Sequence, residues 1–191
     1  MVGLVRKRVG DVQLPVLGAL SFAFVFGGIT GWICELIVGY MNNGYVNLQH
    51  GGIGIPFLTI YAFGALVYEF IFRDIEPTPT NVVRTFLLMM FLAFLIEYAT
   101  GLFMLNMLGV QTWDYRIPGW DWLFVTSDGL VCARGLLSFG MLGLVQIFGF
   151  DGLRRHLQEK CVWFDTASII LAILIMVYIC AQYATGNAVM M

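Results

Sequence analysis

Residues 82–108 read VVRTFLLMMFLAFLIEYATGLFMLNML, an apolar stretch that is long enough to cross a lipid bilayer as one helix. About 30 Å of hydrocarbon requires roughly 20 helical residues at a rise of 1.5 Å per residue. Other stretches meet the same criterion, which gives predicted spans at residues 12–40, 53–72, 82–108, 129–150 and 166–183. We therefore expect an all-α, polytopic membrane bundle of about five transmembrane helices that forms one domain, residues 1–191.

The composition excludes two broad classes of protein. Hydrophobic residues make up 60% of the 191 residues and charged residues only 12%. Soluble domains carry roughly 25% charged residues, so this chain has too few to cover the surface of a soluble enzyme. The formal net charge of −2 provides no basic surface for a phosphate backbone, and we expect no nucleic-acid partner.

The distribution of basic residues predicts the orientation of the bundle. Of the 10 Lys and Arg residues, eight fall in the N-terminal segment and in the second and fourth connections, while Arg116 falls on the other side. The eight are Arg6, Lys7, Arg8, Arg73, Arg84, Arg154, Arg155 and Lys160. Because cytoplasmic loops are enriched in Lys and Arg, the chain is predicted to be N-in and C-out. Its first span has no polar cleavage region and is predicted to be retained.

Ionisable residues inside the spans are the first candidates for function, because a charge in hydrocarbon is costly. Glu35, Glu97 and Arg134 are predicted at mid-depth or nearer the outer face. They are candidates for a polar cavity that opens outward, and a buried ion pair that only fixes helix register is an equally weighted alternative. Glu69 is predicted to extend to the inner interface beside Arg73 and to be structural.

Small residues lie at helical spacing on the same face as both intramembrane glutamates, which predicts close helix packing on that face. In the first span the series is Ala19, Ala23, Gly27 and Gly31 before Glu35, and in the third it is Ala93 and Gly101 around Glu97.

The connections are interpreted separately. Residues 42–56, which include His50, are rich in Asn and Gly and are predicted as a partly re-entrant cap or as a simple turn. Residues 111–128, which include Trp113 and Asp114, form an aromatic belt or the mouth of a substrate path. The inner connection 151–165 is predicted to contain a short interfacial helix that contacts lipid headgroups or a cytoplasmic partner.

The four cysteines are isolated in sequence, which gives no zinc or redox motif. Cys34 and Cys132 are both predicted toward the outer face, so a disulfide is possible, although packing as small hydrophobic residues is favoured. His50 and His156 are predicted on opposite sides of the membrane, and no catalytic triad or metal motif is present. We expect no cofactor and no bound metal, and enzymatic activity is the least favoured function.

Four short motifs in order resemble the bacterial Putative ABC-transporter type IV family over residues 27–145. They are Gly31-Trp32-x-x-Glu35, Ile60-Tyr61-x-Phe63-Gly64, Glu97-Tyr98-x-Thr100-Gly101 and Trp113-Asp114-Tyr115. The resemblance implies a small multi-pass permease-like protein of the bacterial cytoplasmic (inner) membrane. The chain contains no nucleotide-binding motif of its own.

The chain departs from the family pattern at two places. Gln49-His50-Gly51 stands where the family has an Asn-Arg-Gly step. Gly129-Leu130-Val131-Cys132 replaces an Asn-x-x-Gly-Arg-x-Cys element, with Arg134 two positions later.

The leading interpretation is a small transport protein, or the membrane subunit of a transporter, that binds a small polar or zwitterionic substrate or an ion. Its candidate substrate-binding residues are Trp32, Glu35, His50, Tyr61, Glu97, Tyr98, Trp113, Asp114 and Arg134. Expected partners are membrane lipids, a small-molecule substrate, and a second copy of the chain or another membrane subunit. The alternatives are a non-transporting assembly or regulatory subunit and, less favoured, an intramembrane enzyme that acts on a lipid.

Overall fold

The structure is a computed structural model that describes residues 14–48, 53–111, 113–119 and 121–185. Over these residues it is all-α, as predicted, with one isolated antiparallel bridge between Val125 and Cys132. The helices are α1 (Leu14–Asn43), α2 (Thr59–Phe72), α3 (Pro79–Leu108), α4 (Ala133–Leu144), a π-helical segment (Val145–Phe150), α5 (Asp151–Lys160) and α6 (Phe164–Ala184).

Four of the described helical stretches are long and apolar enough to cross a membrane. They are Val16–Asn42, Pro79–Met107, Ala133–Lys160 and Phe164–Ala184. They agree with the first, third, fourth and fifth predicted spans to within a few residues at most ends. The fourth differs most, because residues 129–132 belong to the preceding loop and the helix continues through α5. The helix predicted within 151–165 is therefore present as α5.

The second predicted span is only partly helical, so the prediction of a helix over residues 53–72 is wrong in its first third. Helix α2 has 14 residues, and residues 53–58 precede it as irregular backbone. Ile53 and Phe57 are nonetheless buried, and the Leu58 N–H donates to the Gly28 carbonyl in the middle of α1 at 3.0 Å. These residues therefore run back alongside α1 as irregular backbone before α2 begins.

One compact unit comprises α1, α2, α5 and α6, and within it α1 and α2 pack along the predicted small-residue face. Gly27 lies directly against Ala65, and Gly31 lies against the ring of Tyr61. These two contacts show that α1 and α2 run antiparallel. The predicted close helix approach is therefore confirmed for the first span.

Helix α6 and the irregular segment complete the apolar core of this unit. Phe24, Phe57, Ala62 and Ile179 pack together, and the Tyr178 hydroxyl donates to the Ile53 carbonyl at 2.9 Å. The hydroxyl thus supplies a partner for a backbone group of the irregular segment, as an apolar environment requires.

A chain of polar side chains joins α5 to α6 in the same unit. Arg154 donates to Gln158 at 2.9 Å, and Gln158 donates to Asp165 at 2.7 Å. The Asp165 side chain lies against Gly18 of α1, where a Cβ would not fit. These contacts connect the side chains of Arg154 and Gln158 on α5 to α6, and α6 to α1.

Glu69 does not extend to the inner interface, and this prediction is corrected. The residue is 6% exposed, whereas its predicted neighbour Arg73 forms an ion pair with Asp74 at 3.2 Å. The position of Glu69 on the packed face of α2, with Ala62 and Ala65, explains its burial.

The other compact unit contains α3 and α4, which also run antiparallel. Gly140 packs against Phe86 and Met90. Leu130, which precedes α4, packs against Gly101 of α3. Helix α3 begins with Thr78 as its cap, whose hydroxyl accepts from the Asn81 N–H at 3.3 Å, and it ends at Gly109 with φ 67°. The predicted packing face around Glu97 is therefore present.

The glycine face of α1 gives a direct stability test. A Cβ at residue 27 would collide with the Ala65 Cβ and crowd the Tyr61 carbonyl, neither of which can rotate away. We expect Gly27→Ala to lower the free energy of unfolding by about 1–3 kcal/mol, as over-packing does. The measurement is chemical denaturation in detergent.

Gly39→Ala on the same helix is the matched control, because nothing lies within 4 Å of its added Cβ. It should be neutral or stabilise by up to about 1 kcal/mol through helix propensity. Equal effects of the two substitutions would contradict the packing of α1 on α2.

Candidate functional site

Residues 124–133, at the end of the loop between α3 and α4, form a hairpin. The Thr126 N–H donates to the Val131 carbonyl at 2.9 Å, and the Gly129 N–H donates to the Thr126 carbonyl at 2.8 Å. At the end of the hairpin the Ala133 N–H, the first of α4, donates to the Phe124 carbonyl at 3.1 Å. Irregular backbone is stable in an apolar environment only where its polar groups are satisfied, and these bonds satisfy many of them.

This hairpin is buried against α3. Leu130, Val131 and Cys132 are at most 1% exposed and pack with Ala93 and Leu136. This part of the loop therefore fills part of the core between α3 and α4.

Glu97 lies where this hairpin meets α3. It is 4% exposed, and the Tyr115 hydroxyl donates to its Oε1 at 2.8 Å. Tyr115 is fixed in turn, since its N–H donates to the Gly129 carbonyl at 2.9 Å. On its other side the Glu97 carboxylate approaches Gly135 in the first turn of α4. The positive end of the α4 dipole favours a negative charge there.

Trp113 and Tyr98 hold the loop from two directions. The Trp113 indole N–H donates to the Leu130 carbonyl at 2.8 Å. The Tyr98 hydroxyl hydrogen-bonds Asp128, and its ring stacks on Phe94. Hydrogen bonds from the Thr126 hydroxyl, the Leu130 N–H and the Tyr98 hydroxyl lower the pKa of Asp128. These contacts give both aromatic residues a positioning role.

Asp114 is an exposed member of an ion pair with Arg116. The Arg116 Nε lies 2.9 Å from Asp114 Oδ1, and Nη2 lies 2.5 Å from Oδ2. These hydrogen bonds lower the pKa of Asp114 to about 2. Arg116 also donates to the Ser127 carbonyl at 3.1 Å, so the pair connects the first part of the loop to the hairpin near Ser127.

Arg134 and Cys132 lie at the start of α4. The Arg134 guanidinium donates to the Gly119 carbonyl at 3.0 Å. The Cys132 sulfur accepts from the Gly135 N–H at 3.2 Å and caps the helix. Arg134 is half-buried, and it adjoins the residue that faces the Glu97 carboxylate. The acidic side chain of Glu97 and the basic side chain of Arg134 therefore both lie near the N-terminal end of α4.

The unit that contains α1 and α2 has a carboxylate–phenol pair of its own. The Tyr61 hydroxyl donates to Glu35 Oε1 at 2.5 Å, a distance typical of a hydroxyl that donates to a carboxylate. Trp32 is half-buried, and its indole nitrogen is buried with no acceptor among the described residues. His50 lies outside the described residues.

The cysteines and acidic residues show no sign of covalent or metal chemistry in the part of the chain that is described. All four cysteines are free thiols, so the possible Cys34–Cys132 disulfide is not formed. Over the same residues, no group of three or more His, Cys, Asp or Glu side chains is arranged to hold a metal ion.

Two residues of the candidate site are not among those predicted from the sequence. Tyr115 lies in the segment interpreted as an aromatic belt or the mouth of a substrate path, and it is the hydrogen-bond donor to Glu97. Cys132 was assigned to packing, and its capping of α4 has no sequence signature that distinguishes it from a buried thiol. The Trp113-Asp114-Tyr115 motif was the available signal, because its three residues all make specific contacts in the loop.

The sequence profile of one family, described as Putative ABC-transporter type IV, matches residues 22–185. This range includes α2 through α6 and most of α1. The chain belongs to this family. The resemblance found from the four motifs is thereby confirmed, and it extends well beyond residues 27–145. No curated protein and no solved structure matches the chain significantly.

Membership of the Putative ABC-transporter type IV family, together with four apolar helices of membrane-spanning length, identifies an ABC-transporter-related, multi-pass membrane protein. The motifs that carry the family resemblance include the carboxylates and phenols of both pairs: Glu35, Tyr61, Glu97 and Tyr115.

Gly129 provides a test of the loop. It has φ 75°, and a Cβ there would collide with the Asp114 carboxylate and approach the Arg116 guanidinium. We expect Gly129→Ala to cost about 1–2 kcal/mol for the left-handed backbone and up to about 1 kcal/mol more for displacing the exposed Asp114–Arg116 pair. Unfolding in detergent, followed by tryptophan fluorescence, measures the loss.

Gly119→Ala is the matched control, because Gly119 has φ 86° and nothing within 4 Å of an added Cβ. It should show only the backbone cost. If Gly129→Ala is no less stable than Gly119→Ala, the Asp114–Arg116 ion pair does not pack against Gly129 as described.

Proposed function

We propose that the protein is a small transport protein, or the membrane subunit of a transporter, that binds a small polar or zwitterionic substrate or an ion in an outward-facing polar cavity. The observation that carries the proposal is the buried Glu97 carboxylate, held by the Tyr115 hydroxyl within an apolar helix. Ionisable groups in membrane spans are costly and commonly mark substrate or ion paths.

The chemistry of the pair suits a cationic group. A carboxylate oxygen pair accepts several hydrogen bonds at once, so Glu97 can bind an ammonium group while Tyr115 remains in place. The phenol fixes the direction of the carboxylate before the substrate arrives, and this reduces the cost of ordering on binding.

The anionic end of a zwitterion requires a donor, and Arg134 supplies one at the same end of α4. Its planar guanidinium carries five N–H donors and matches a carboxylate in geometry. One of its nitrogens donates to the Gly119 carbonyl, which holds the side chain near the loop. In this proposal Tyr98, Trp113 and Asp114 keep the loop in position.

Glu35 and Tyr61 form the second pair, which we assign to the same task of binding a cation or proton. Trp32 and Tyr61 supply aromatic faces that attract a cation. A second copy of the chain or another membrane subunit completes the transport path, and the proposed location is the bacterial cytoplasmic membrane with the N-terminus inside.

A non-transporting assembly or regulatory subunit is the second candidate. The observation that favours it is that the described members of the site already have hydrogen-bond partners in the protein, as in Asp114–Arg116 and Trp113–Leu130. Polar groups paired in this way can serve only to fix one arrangement of helices.

Ligand-dependent thermal stabilisation separates the two functions. The purified protein is heated with a panel of zwitterionic amino acids, glycine betaine, small amines, Na⁺ and K⁺. A ligand that binds the native state stabilises it by about 2.7 kcal/mol at a 100-fold excess over its Kd. We expect at least one zwitterion or amine to do so for the wild type, and Glu97→Gln to abolish the shift while remaining folded.

Two further variants sharpen the test. Tyr115→Phe should weaken the same ligand by roughly 10-fold or more, because a hydrogen bond of about 1.5–3 kcal/mol to the charged group no longer orients the carboxylate. Glu159→Gln changes the same charge at an exposed position of α5 and should bind as the wild type does. The proposal fails if no compound raises the unfolding temperature of the wild type and Glu97→Gln unfolds at a lower temperature than the wild type. That result supports an assembly subunit.

A further inference from the structure

The turn Trp122–Leu123–Phe124 combines a strained backbone with high exposure. Leu123 has φ 71°, the one positive φ of a non-glycine residue in the described part of the chain. The Phe124 N–H donates to the Trp122 carbonyl at 3.0 Å across it, which makes a three-residue γ-turn. A β-carbon is unfavourable at this φ, so such a conformation persists only where the surrounding structure imposes it.

The Leu123 side chain is not buried, although its backbone is strained. Leu123 is 79% exposed, Trp122 48% and Phe124 42%, so the turn presents three large apolar side chains outside the protein. Asp121, directly before them, is exposed as well. The order along the chain is therefore a charge, an indole and then two fully apolar side chains.

The position of the turn is fixed relative to α3. The Phe124 carbonyl accepts from Ala133 at the start of α4, and Leu130 of the same hairpin packs against Gly101. Gly101 lies seven residues before the end of α3 at Leu108. At 1.5 Å per residue Gly101, and Leu130 against it, lie about 10 Å before the end of that helix. The 30 residues of α3 span about 45 Å, which matches a bilayer with its headgroups, so this level is close to the boundary between headgroups and acyl chains.

We propose that the Trp122–Leu123–Phe124 turn inserts into the lipid leaflet on its side of the membrane and anchors the loop between α3 and α4. Leu123 and Phe124 contact acyl chains, Trp122 lies at the headgroup boundary, and Asp121 remains in water. Tryptophan favours this boundary because its ring is apolar and its N–H is polar. Hydrogen bonds from Phe124 and Ala133 satisfy backbone groups of the turn, which allows irregular backbone at this depth.

Lipid fits this surface better than a protein partner does. A stable protein interface buries about 800 Å² on each partner and involves roughly 20–30 residues a side. Three side chains on one turn provide far less than this. Acyl chains adapt to a single projecting turn and require no complementary surface.

Nitroxide accessibility tests the proposal in the whole protein reconstituted in phosphatidylcholine nanodiscs. Leu123→Cys and, as the matched control, Asp121→Cys are each spin-labelled in a background of Cys34→Ser, Cys161→Ser and Cys180→Ser. Cys132 is retained because it is 0% exposed. Collision rates are measured with oxygen, which concentrates in acyl chains, and with a water-soluble nickel chelate.

We expect the label at position 123 to collide mainly with oxygen and the label at position 121 mainly with nickel. If the label at position 123 is as accessible to nickel as that at 121, the turn lies in water and the proposal is wrong. Protection from both reagents would place the turn against another protein, such as a second copy of the chain, and would also overturn it.

Discussion

The hydrogen bond from Tyr115 to Glu97 is the contact on which the arrangement of α3, α4 and their loop depends. A carboxylate that is 4% exposed in an apolar helix needs a donor, and the phenol supplies it from the loop. To reach Glu97, Tyr115 must be held close to α3, and its backbone bond to Gly129 does this. The buried charge and the folded hairpin therefore require each other.

The two compact units solve the same physical problem in similar ways. Each begins with a helix of 30 residues that carries a glutamate, α1 with Glu35 and α3 with Glu97. In both, a tyrosine from a later segment donates to that carboxylate, and irregular backbone precedes the next helix. Glycine makes room for this irregular backbone, since Gly28 accommodates the Phe57 ring and Gly101 accommodates Leu130.

The sequence predicted the helices well because long apolar stretches have few other solutions in a membrane. It did not predict the break before α2, because residues 53–58 are as apolar as a helix. The available signal was Gly54, which has φ 74°, followed by Pro56. Each favours a turn or irregular backbone, yet both are tolerated in transmembrane helices, so hydropathy outweighed them.

The carboxylates of the candidate site could be predicted from the sequence, whereas the groups that hydrogen-bond to them could not. Glu35 and Glu97 stand out as charges in apolar sequence, whereas the Tyr115–Glu97 contact joins residues 18 positions apart and depends on the fold of the loop. The burial of Glu69 and the bond from Arg134 to a carbonyl of the loop depend on tertiary packing in the same way. Periodicity and hydropathy carry no information about such contacts.

The most direct measurement of the central claim is a double-mutant cycle of Tyr115→Phe and Glu97→Met, read as the free energy of unfolding in detergent, because a methionine leaves no oxygen to accept from the phenol. A hydrogen bond to a charged group contributes about 1.5–3 kcal/mol, and we expect a coupling energy of that size. If the two losses add to within about 0.5 kcal/mol, the phenol and the carboxylate act independently, and the Glu97 site does not hold the loop.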